Sequence, residues 1–359
     1  EDTLKIPFII LEGRKCLSLF LFFSAAVFSQ SRILSFYQVS YLEENPQIDG
    51  YLRENCWQRC PRAGDFYKYW ETNPVRGELK TEFMMFYNER GLYFASVNYD
   101  DYLEKIKATR TMRDDPELWT DDCNEIYFDP EGKGVGYLGF VVNFLGAKMD
   151  VRQIDTANRD LSWNLENWEY KTSKGDGYWV VESFFPWSEI FRKPKEGQLW
   201  MFDLVRYSFS TGKFRGVSWS CGGSNATPGK FGYLFFSRGK EISLDRIGEI
   251  LAREVSPVWE LPCPEGFLIC QDKGKYRFLR SEEIITAEKR KAEALLRQIE
   301  GLSSRLKNEA AAKELERLKA EFSEKIKGPV GAGQVKEIRE LGEKLSALYW
   351  DLKIEEVLK

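Results

Sequence analysis

The chain has 359 residues, of which 43% are apolar and 15% aromatic, so a wholly disordered chain is excluded. Its 52 Lys and Arg against 56 Asp and Glu give a net charge of −4, which makes nucleic acid a poor partner. The absence of histidine excludes Ser-His-Asp and Cys-His catalysis, His-ligated zinc and His-ligated haem. This composition favours binding over catalysis, which would have to use carboxylates, Lys, Tyr or Cys.

Residues 1–29 are typical of a region that carries an export signal. Arg14 and Lys15 precede an apolar run of 13 residues, 16–28, and we expect cleavage after Ser29. The run is too short to span a bilayer comfortably. We therefore expect a secreted or periplasmic protein with no membrane span once the signal is removed. A buried hydrophobic helix or strand is the alternative interpretation.

Six cysteines remain after removal of the signal, and an even number in an exported chain permits disulfides. Cys263 and Cys270 bracket a short turn and are able to close a hairpin, whereas a bond between Cys56 and Cys60 within one helix is strained. Free buried thiols are the equal alternative. The six are Cys56, Cys60, Cys123, Cys221, Cys263 and Cys270.

Residues 46–238 have the pattern of a series of short strands, rich in aromatic and β-branched residues and separated by turn residues. Such strands at near-regular spacing, without long helices between them, predict a mainly β fold, an antiparallel β-sandwich of jelly-roll type. Residues 30–45 form an N-terminal segment before it. The predicted strands are 80–87, 92–99, 125–129, 137–144, 148–152, 178–185 and 200–209.

The end of the chain has a different pattern. We expect residues 239–280 to form a connector between the sandwich and the tail, with one or two short strands around 259–278. From 281 to 359, apolar residues recur every three or four positions, which predicts a charged amphipathic tail, either an α-helical hairpin or three helices. We expect a clear break at 328–333 and a weaker one near Asn308. A spacer, a dimerisation surface and a docking module all remain open as roles for this tail.

Seven segments resemble, in order, those of family 9 carbohydrate-binding modules. Residues 48–57 match the pattern I-D-G-x-L-x-E-x-x-W, and residues 119–125 match W-x-D-D-x-x-E. Together they cover about 190 residues. The segments are 48–57, 80–82, 91–93, 119–125, 143–150, 178–187 and 199–206, followed by the closing pieces 218–219 and 229–232.

The resemblance implies a non-catalytic sandwich that binds sugar, often beside glycoside hydrolases, and that holds structural calcium. Members of the family hold terminal sugars between two tryptophans while polar side chains bind the hydroxyls. Trp119 and Glu125 match one indole and one such carboxylate, and Trp219 lies where the second indole is expected. Asn143 and Arg206 match polar positions of the motif. No haem is expected.

The residues themselves leave alternatives for each position. A pyranose has flat C–H faces that stack on indole and hydroxyls that need partners. Alternation along 125–129 places Glu125 opposite the apolar Ile126, although a capping or calcium-binding carboxylate is equally compatible. Arg206 is also able to pair with Asp203 or Glu182. Trp163 and Trp168 are substitutes for the stacking residues, and we expect Trp57, Trp179, Trp187 and Trp200 in the core.

Other functions remain open at this point. A glycoside hydrolase would use a carboxylate pair, either Asp122 with Glu125 or Glu82 with Glu182. A haem domain of the same sandwich class would use Met149 beside Lys148. The expected partner is a poly- or oligosaccharide, and the tail offers a contact for a glycoside hydrolase or another chain. Asp121, Asp122 and Asp129 form the local acidic group that calcium would need.

Overall fold

The computed structural model describes residues 31–71, 75–155, 157–190, 192–239 and 241–358. The expected export signal lies outside these residues. The described strands are β1 (Arg32–Ile33), β2 (Phe36–Tyr41), β3 (Tyr67–Lys68), β4 (Thr81–Tyr87), β5 (Gly91–Tyr99), β6 (Cys123–Asp129), β7 (Tyr137–Asn143), β8 (Lys148–Gln153), β9 (Arg159–Asp160), β10 (Glu169–Lys174), β11 (Tyr178–Pro186), β12 (Leu199–Ser208), β13 (Arg215–Ser218), β14 (Gly232–Ser237), β15 (Trp259–Cys263), β16 (Gly266–Asp272) and β17 (Lys275–Arg280). The helices are α1 (Asn55–Arg59), α2 (Leu244–Glu254), α3 (Ser281–Leu306), α4 (Glu309–Lys325) and α5 (Ala332–Leu358).

One long sheet folds over into a sandwich, which confirms the mainly β prediction. Its order is β10-β11-β5-β4-β2-β14-β12-β6-β7-β8-β9, and β13 extends β12 toward β3. The two halves meet across the core, where the rings of Phe83 and Phe202 lie 5.2 Å apart. Each of the seven predicted strands is present. The sandwich is not wholly antiparallel, because β2 runs parallel to both β14 and β4.

Alternation along the strands separates an inner face from an outer face. In β6, Ile126 and Phe128 enter the aromatic core between the two halves, whereas Cys123 and Tyr127 lie in a second apolar cluster outside it. This period of two is the one that the sequence showed. Trp57, Trp179, Trp187 and Trp200 are buried, as predicted.

Glu182 explains why two of the sequence motifs occur together. Its Oε2 accepts hydrogen bonds from the backbone N–H groups of Asp49 (3.0 Å) and Gly50 (2.8 Å), and its Oε1 accepts one from the Trp57 indole (3.0 Å). Gly50 has a φ of +86°, a conformation that favours glycine. Burial raises the pKa of Glu182 to about 7, although these hydrogen bonds oppose that rise. The motif residues therefore fasten the N-terminal loop to β11.

We predict that Glu182→Gln lowers the free energy of unfolding by about 1–3 kcal/mol. The amide NH₂ group of glutamine would face an N–H group that donates a hydrogen bond to the carboxylate in the parent. Urea unfolding followed by tryptophan fluorescence measures this difference. Glu196→Gln, at an exposed turn, is the control and should change stability little. Equal stability of the Glu182 variant and the parent would contradict the role assigned to this carboxylate.

The connector contains more structure than the sequence predicted. It holds α2 and three strands, β15 to β17, and β1 joins them to complete a four-stranded sheet. Leu251 and Trp259 belong to the same apolar cluster as Met201 and Tyr233 on the outer face of the sandwich. The hydrophobic effect therefore joins this small sheet to the sandwich.

The tail is a three-helix unit, the second of the two predicted forms. Leu302, Leu315 and Leu345 pack within it. Lys307, at a φ of 51°, ends α3 just before Asn308 caps α4, which confirms the weaker break. Ile284 and Val335 pack against Phe267 of the small sheet. No helix among the described residues has the length and apolar character that a membrane span requires.

The six cysteines of the described chain are buried and form no disulfide with one another, so the structure agrees with the thiol alternative. In the small sheet, Cys263 lies opposite Gly266, and Cys270 lies opposite Trp259, so the two cysteines do not face each other. Cys60 instead donates to the backbone carbonyl of Cys56, with a distance of 3.1 Å between Sγ and O.

Candidate functional site

Glu125 lies on the outer face of β6 within a group of tyrosines. The Tyr127 hydroxyl donates to its Oε2 at 2.6 Å, and the Tyr207 hydroxyl also bonds to it. Burial raises the pKa of Glu125 to about 7, while those hydroxyls and the charge of Arg159 oppose the rise. This carboxyl therefore changes its charge near neutral pH.

Tyr69 adds a buried hydroxyl to this group. Its ring lies 5.2 Å from that of Tyr207, and its hydroxyl is buried without a partner of good hydrogen-bond geometry in the described chain. Burial raises the pKa of Tyr69, and the charge of Glu125 adds to this rise. A buried hydroxyl without a partner costs free energy, so a ligand hydroxyl at this point would be favoured.

Trp119 comes shortly before β6, the strand that carries Glu125. It lies in a short 3₁₀ turn, and its side chain is 45% exposed. The preceding Leu118 is buried in the outer apolar cluster that also contains Cys123 at the start of β6, and this packing anchors the turn to the strand. An indole held by a buried neighbour but open to water is suited to stack on a ligand.

Two further exposed aromatic residues border the same group, and neither was predicted from the sequence as a binding residue. Trp70 is 65% exposed, and its ring lies 4.5 Å from that of Tyr69. Phe214 is 45% exposed, and its ring lies 5.2 Å from that of Tyr207. The one sequence signal for Trp70 was its place after Tyr69. We call Trp70, Trp119 and Phe214, with Tyr69, Tyr207 and Glu125 beneath them, the Glu125 surface.

Trp219 lies elsewhere. It is 3% exposed, and its ring contacts Phe83 and Phe202 at 5.1 and 5.5 Å in the inner core. Its backbone carbonyl accepts a hydrogen bond from the Ser35 hydroxyl. These contacts correct its expected role, because an indole in this position cannot stack on a ligand without unpacking the core. Trp168 is also buried in the core, and Trp163 is half-buried against it.

Arg206 is buried on the inner side of β12. Its guanidinium donates to the backbone carbonyls of Lys80 (3.0 Å) and Tyr99 (2.8 Å) and to the carboxylate of Asp100 (3.0 Å). Asp203, the alternative partner in the sequence, instead accepts from Ser218 on the outer face. Burial lowers the pKa of Arg206 to about 10, so it stays charged at neutral pH. These contacts support a structural role rather than the expected ligand contact.

Asn143 is buried and bonded to the protein. Its amide NH₂ donates to the carbonyl of Arg110 (2.8 Å) and to Asp121 (3.0 Å), and its oxygen accepts from the N–H of Ala147 (2.8 Å). The side chain therefore closes the loop before β8. Like Arg206, Asn143 uses its polar atoms within the protein and is not part of the candidate binding site.

The three aspartates expected near calcium belong to separate networks. Asp121 accepts from the backbone of Thr109 and Arg110, Asp122 from that of Lys107 and Phe209, and Asp129 from its own turn. Within the described ranges, no three His, Cys, Asp or Glu side chains are grouped to hold a metal ion. Calcium stays a prediction, and these aspartates are not arranged as its shared ligands.

A family model described as carbohydrate family 9 binding domain-like matches residues 48–233, just over half of the chain. The chain belongs to this family. Family 9 domains are non-catalytic carbohydrate-binding modules, which agrees with the expectation that the chain is not an enzyme. No curated protein matches the chain.

Solved structures similar to this family 9 chain include two of a family 9 module from Caldicellulosiruptor kristjanssonii. The complex with cellotriose is 17% identical, with 58% of this chain and 96% of that one covered and a TM-score of 0.43. The complex with glucose is 16% identical, with coverage of 58% and 100% and a TM-score of 0.42. A protein from Bacteroides uniformis proposed to be carbohydrate-binding is 17% identical, with coverage of 58% and 100% and a TM-score of 0.46.

The four carboxylates that a hydrolase would use all have partners within this family 9 chain. Glu125 faces outward from β6, whereas Asp122 accepts from the backbone of Lys107 and Phe209. Glu182 is buried with both oxygens bonded, while Glu82 pairs with Arg62 at the surface. For the haem alternative, Met149 is in the outer cluster but Lys148 lies over the Trp168 ring, so the two point to opposite faces of β8.

We predict that Arg206→Ala lowers the free energy of unfolding by about 3–5 kcal/mol, because Asp100 would be left buried without its main partner. Chemical denaturation measures this loss of stability. A variant that fails to fold would also agree with the prediction. Arg59→Ala, which removes an exposed ion pair, should cost less than about 1 kcal/mol. If the Arg206 variant kept full stability but lost sugar binding, the structural role would be contradicted and a ligand contact by Arg206 would be supported.

Proposed function

We propose that the chain binds an oligo- or polysaccharide at the Glu125 surface, without making or breaking a bond. The observation that carries this proposal is that exposed Trp70 and Phe214 contact the tyrosines next to the buried carboxyl of Glu125, while exposed Trp119 lies just before the same strand. Aromatic rings cover the C–H faces of a sugar, and the polar atoms pair with its hydroxyls. Membership of a carbohydrate-binding family supports the same ligand class.

The exposed and the buried residues of this surface contribute to binding in different ways. Trp119 and Trp70 supply apolar area that is exposed in the free protein, so covering it with a sugar is favourable. Glu125 and Tyr69 supply fixed hydrogen-bonding groups, and Tyr127 and Tyr207 hold Glu125 in place. Little conformational entropy is lost on binding, because these polar groups are already ordered by packing.

In the cell, we propose that an exported form of the chain assists the breakdown of a polysaccharide. The apolar run at 16–28 supports export. The tail would then serve as the contact to a glycoside hydrolase or to another chain. Its balanced charge, 16 basic and 16 acidic residues from 281 to 359, suits a solvated protein surface.

We predict that Trp119→Ala and Trp70→Ala each weaken glycan binding by about 2 kcal/mol, or roughly 30-fold in Kd. Calorimetric titration of oligosaccharides from glucan, xylan, mannan and galactan measures this change, with calcium present. Trp350→Ala is the matched control, because Trp350 is an indole on α5 that is 56% exposed. Binding that survives both substitutions would place the site elsewhere, and no binding by the folded parent would contradict the function.

We predict that sugar affinity increases between about pH 6 and pH 8. With its pKa at about 7, Glu125 is mostly protonated at the lower pH and mostly ionised at the higher one, and a sugar hydroxyl donates more strongly to the carboxylate. The change should be up to about tenfold per pH unit below the pKa. Glu125→Gln should remove the dependence.

This comparison also separates Glu125 from its acidic neighbour. Burial raises the pKa of Asp203 to about 6, and its charge also acts on Glu125. A pH profile that persists in Glu125→Gln would therefore assign the titration to another group. A flat profile in the parent would show that Glu125 does not contact the sugar.

A further inference from the structure

A cavity of about 520 Å³ lies beside the turn that joins β12 to β13, outside the Glu125 surface. This volume falls in the range of about 300–1,000 Å³ that small-molecule sites occupy. Two aromatic residues, one of them a tyrosine, two residues with aliphatic hydroxyls and one lysine contribute to its wall. The lining residues are Tyr102, Lys105, Phe209, Ser210, Thr211 and Gly212.

The wall is fixed by the network beneath it. Ser210 donates to Asp100 at 2.8 Å and accepts from Arg215 at 2.8 Å, and the N–H of Tyr102 donates to Asp100 at 3.0 Å. The N–H of Gly212 donates to the carbonyl of Phe209 at 2.8 Å, which closes the turn. The two sides of the cavity are therefore held by one buried carboxylate.

The buried carboxylates near this cavity already have partners. Behind the wall, the carboxylate of Asp100 lies 3.0 Å from Arg206 and 3.6 Å from Arg215, so it is fully compensated. The nearby Asp122 accepts two backbone N–H groups, and the charge of Arg206 also acts on it. Neither buried carboxylate needs a lysine as its partner.

The lysines are accordingly available to a ligand. Lys105 Nζ lies 5.0 Å from the centroid of the Tyr102 ring, and Lys107 Nζ lies 4.9 Å from that of Phe209. Lys107 also donates to the carbonyl of Thr120 at 2.7 Å. Neither ammonium group forms an ion pair with a carboxylate of the described chain. Asp101 and Glu104 are exposed on the same loop but do not line the cavity.

Aromatic contacts connect the cavity to the Glu125 surface. The ring of Phe209 lies 5.5 Å from that of Phe214, which in turn lies 5.2 Å from Tyr207. Thr120, whose carbonyl binds Lys107, is the neighbour of Trp119. A glycan with one end at the Glu125 surface would therefore reach the cavity across Phe214 and Phe209.

We infer that this cavity is a second subsite, and that it binds an anionic substituent, a carboxylate or a sulfate, on a sugar of the glycan. The inference rests on the proposed function, because the cavity extends the same bound chain. Lys105 supplies the charge at the wall, Lys107 adds to the local potential, and Tyr102 and Phe209 cover the ring of the sugar. The chain should thus prefer acidic oligosaccharides over neutral ones of the same length.

Calorimetric titration of matched tetrasaccharides tests this preference. The neutral probes are cellotetraose, mannotetraose, galactotetraose and xylotetraose. Each hexose tetramer is compared with its form oxidised to a uronate at C6, and xylotetraose with its form that carries one glucuronic acid branch. Sulfated forms of the same tetramers distinguish sulfate from carboxylate as the group bound.

The acidic form of a bound tetramer should bind about fivefold more tightly than the neutral form at low salt. Lys105→Gln should remove this gain and leave the neutral affinity unchanged, and about 0.5 M NaCl should reduce it. Lys171→Gln, on the exposed face of the distant strand β10, is the matched control and should keep the gain. Trp119→Ala should weaken both forms.

The outcomes separate the two proposals. Equal affinity for neutral and acidic forms, or a gain that survives Lys105→Gln, would overturn the second subsite while the Glu125 surface keeps its function. Failure of the folded parent to bind any tetramer, neutral or acidic, would overturn both. A gain that Lys171→Gln also removes would show general attraction of the protein for anions and would contradict a defined subsite.

Discussion

The buried ion pair between Arg206 and Asp100 holds together the parts of the sandwich on which the rest depends. Arg206 belongs to β12 in one half of the sheet, while Asp100 follows β5 in the other. The same guanidinium binds the carbonyls at the start of β4 and the end of β5, so one side chain satisfies groups of three elements. Isolated buried charges are costly, and this pairing is the condition under which the arrangement is stable.

The ion pair also determines the shape of the candidate binding region. Through Ser208 and Ser210, Asp100 fixes the turn that carries Phe209 and Phe214. Phe214 borders the Glu125 surface, and Phe209 lines the cavity beside it. A polar network inside the sandwich thus positions the aromatic residues outside it. Rigid support of this kind lowers the entropic cost of binding a flexible glycan.

The sandwich could be predicted from sequence because its signals are local. A period of two, with Gly and Asp turns between strands, identified all seven predicted strands and placed Glu125 opposite Ile126. The parallel pairing of β2 could not be predicted, because its partners β4 and β14 are far apart in the chain. Helical spacing likewise predicted the tail, but spacing carries no information on the helix-to-sheet contact at Ile284.

The candidate site was predicted only in part, because a motif does not say whether its residues serve the ligand or the fold. Trp119 is exposed and stays a candidate for stacking, and Glu125 stays a candidate for hydroxyl binding, whereas Arg206, Asn143 and Trp219 complete the interior. Trp70 is exposed because β3 ends at Lys68 and the chain turns away, and its place after Tyr69 in the sequence does not reveal this exposure.

The most direct test of the central claim, that sugar binds at the Glu125 surface, is NMR of the tryptophan indole N–H groups during a glycan titration. The 11 tryptophans report on the core, the tail and the surface at once. The account predicts that the signals of Trp119 and Trp70 shift as the sugar is added, while those of Trp57 and Trp350 stay in place. A glycan that binds but shifts the Trp219 signal, and leaves Trp119 and Trp70 unchanged, would contradict it.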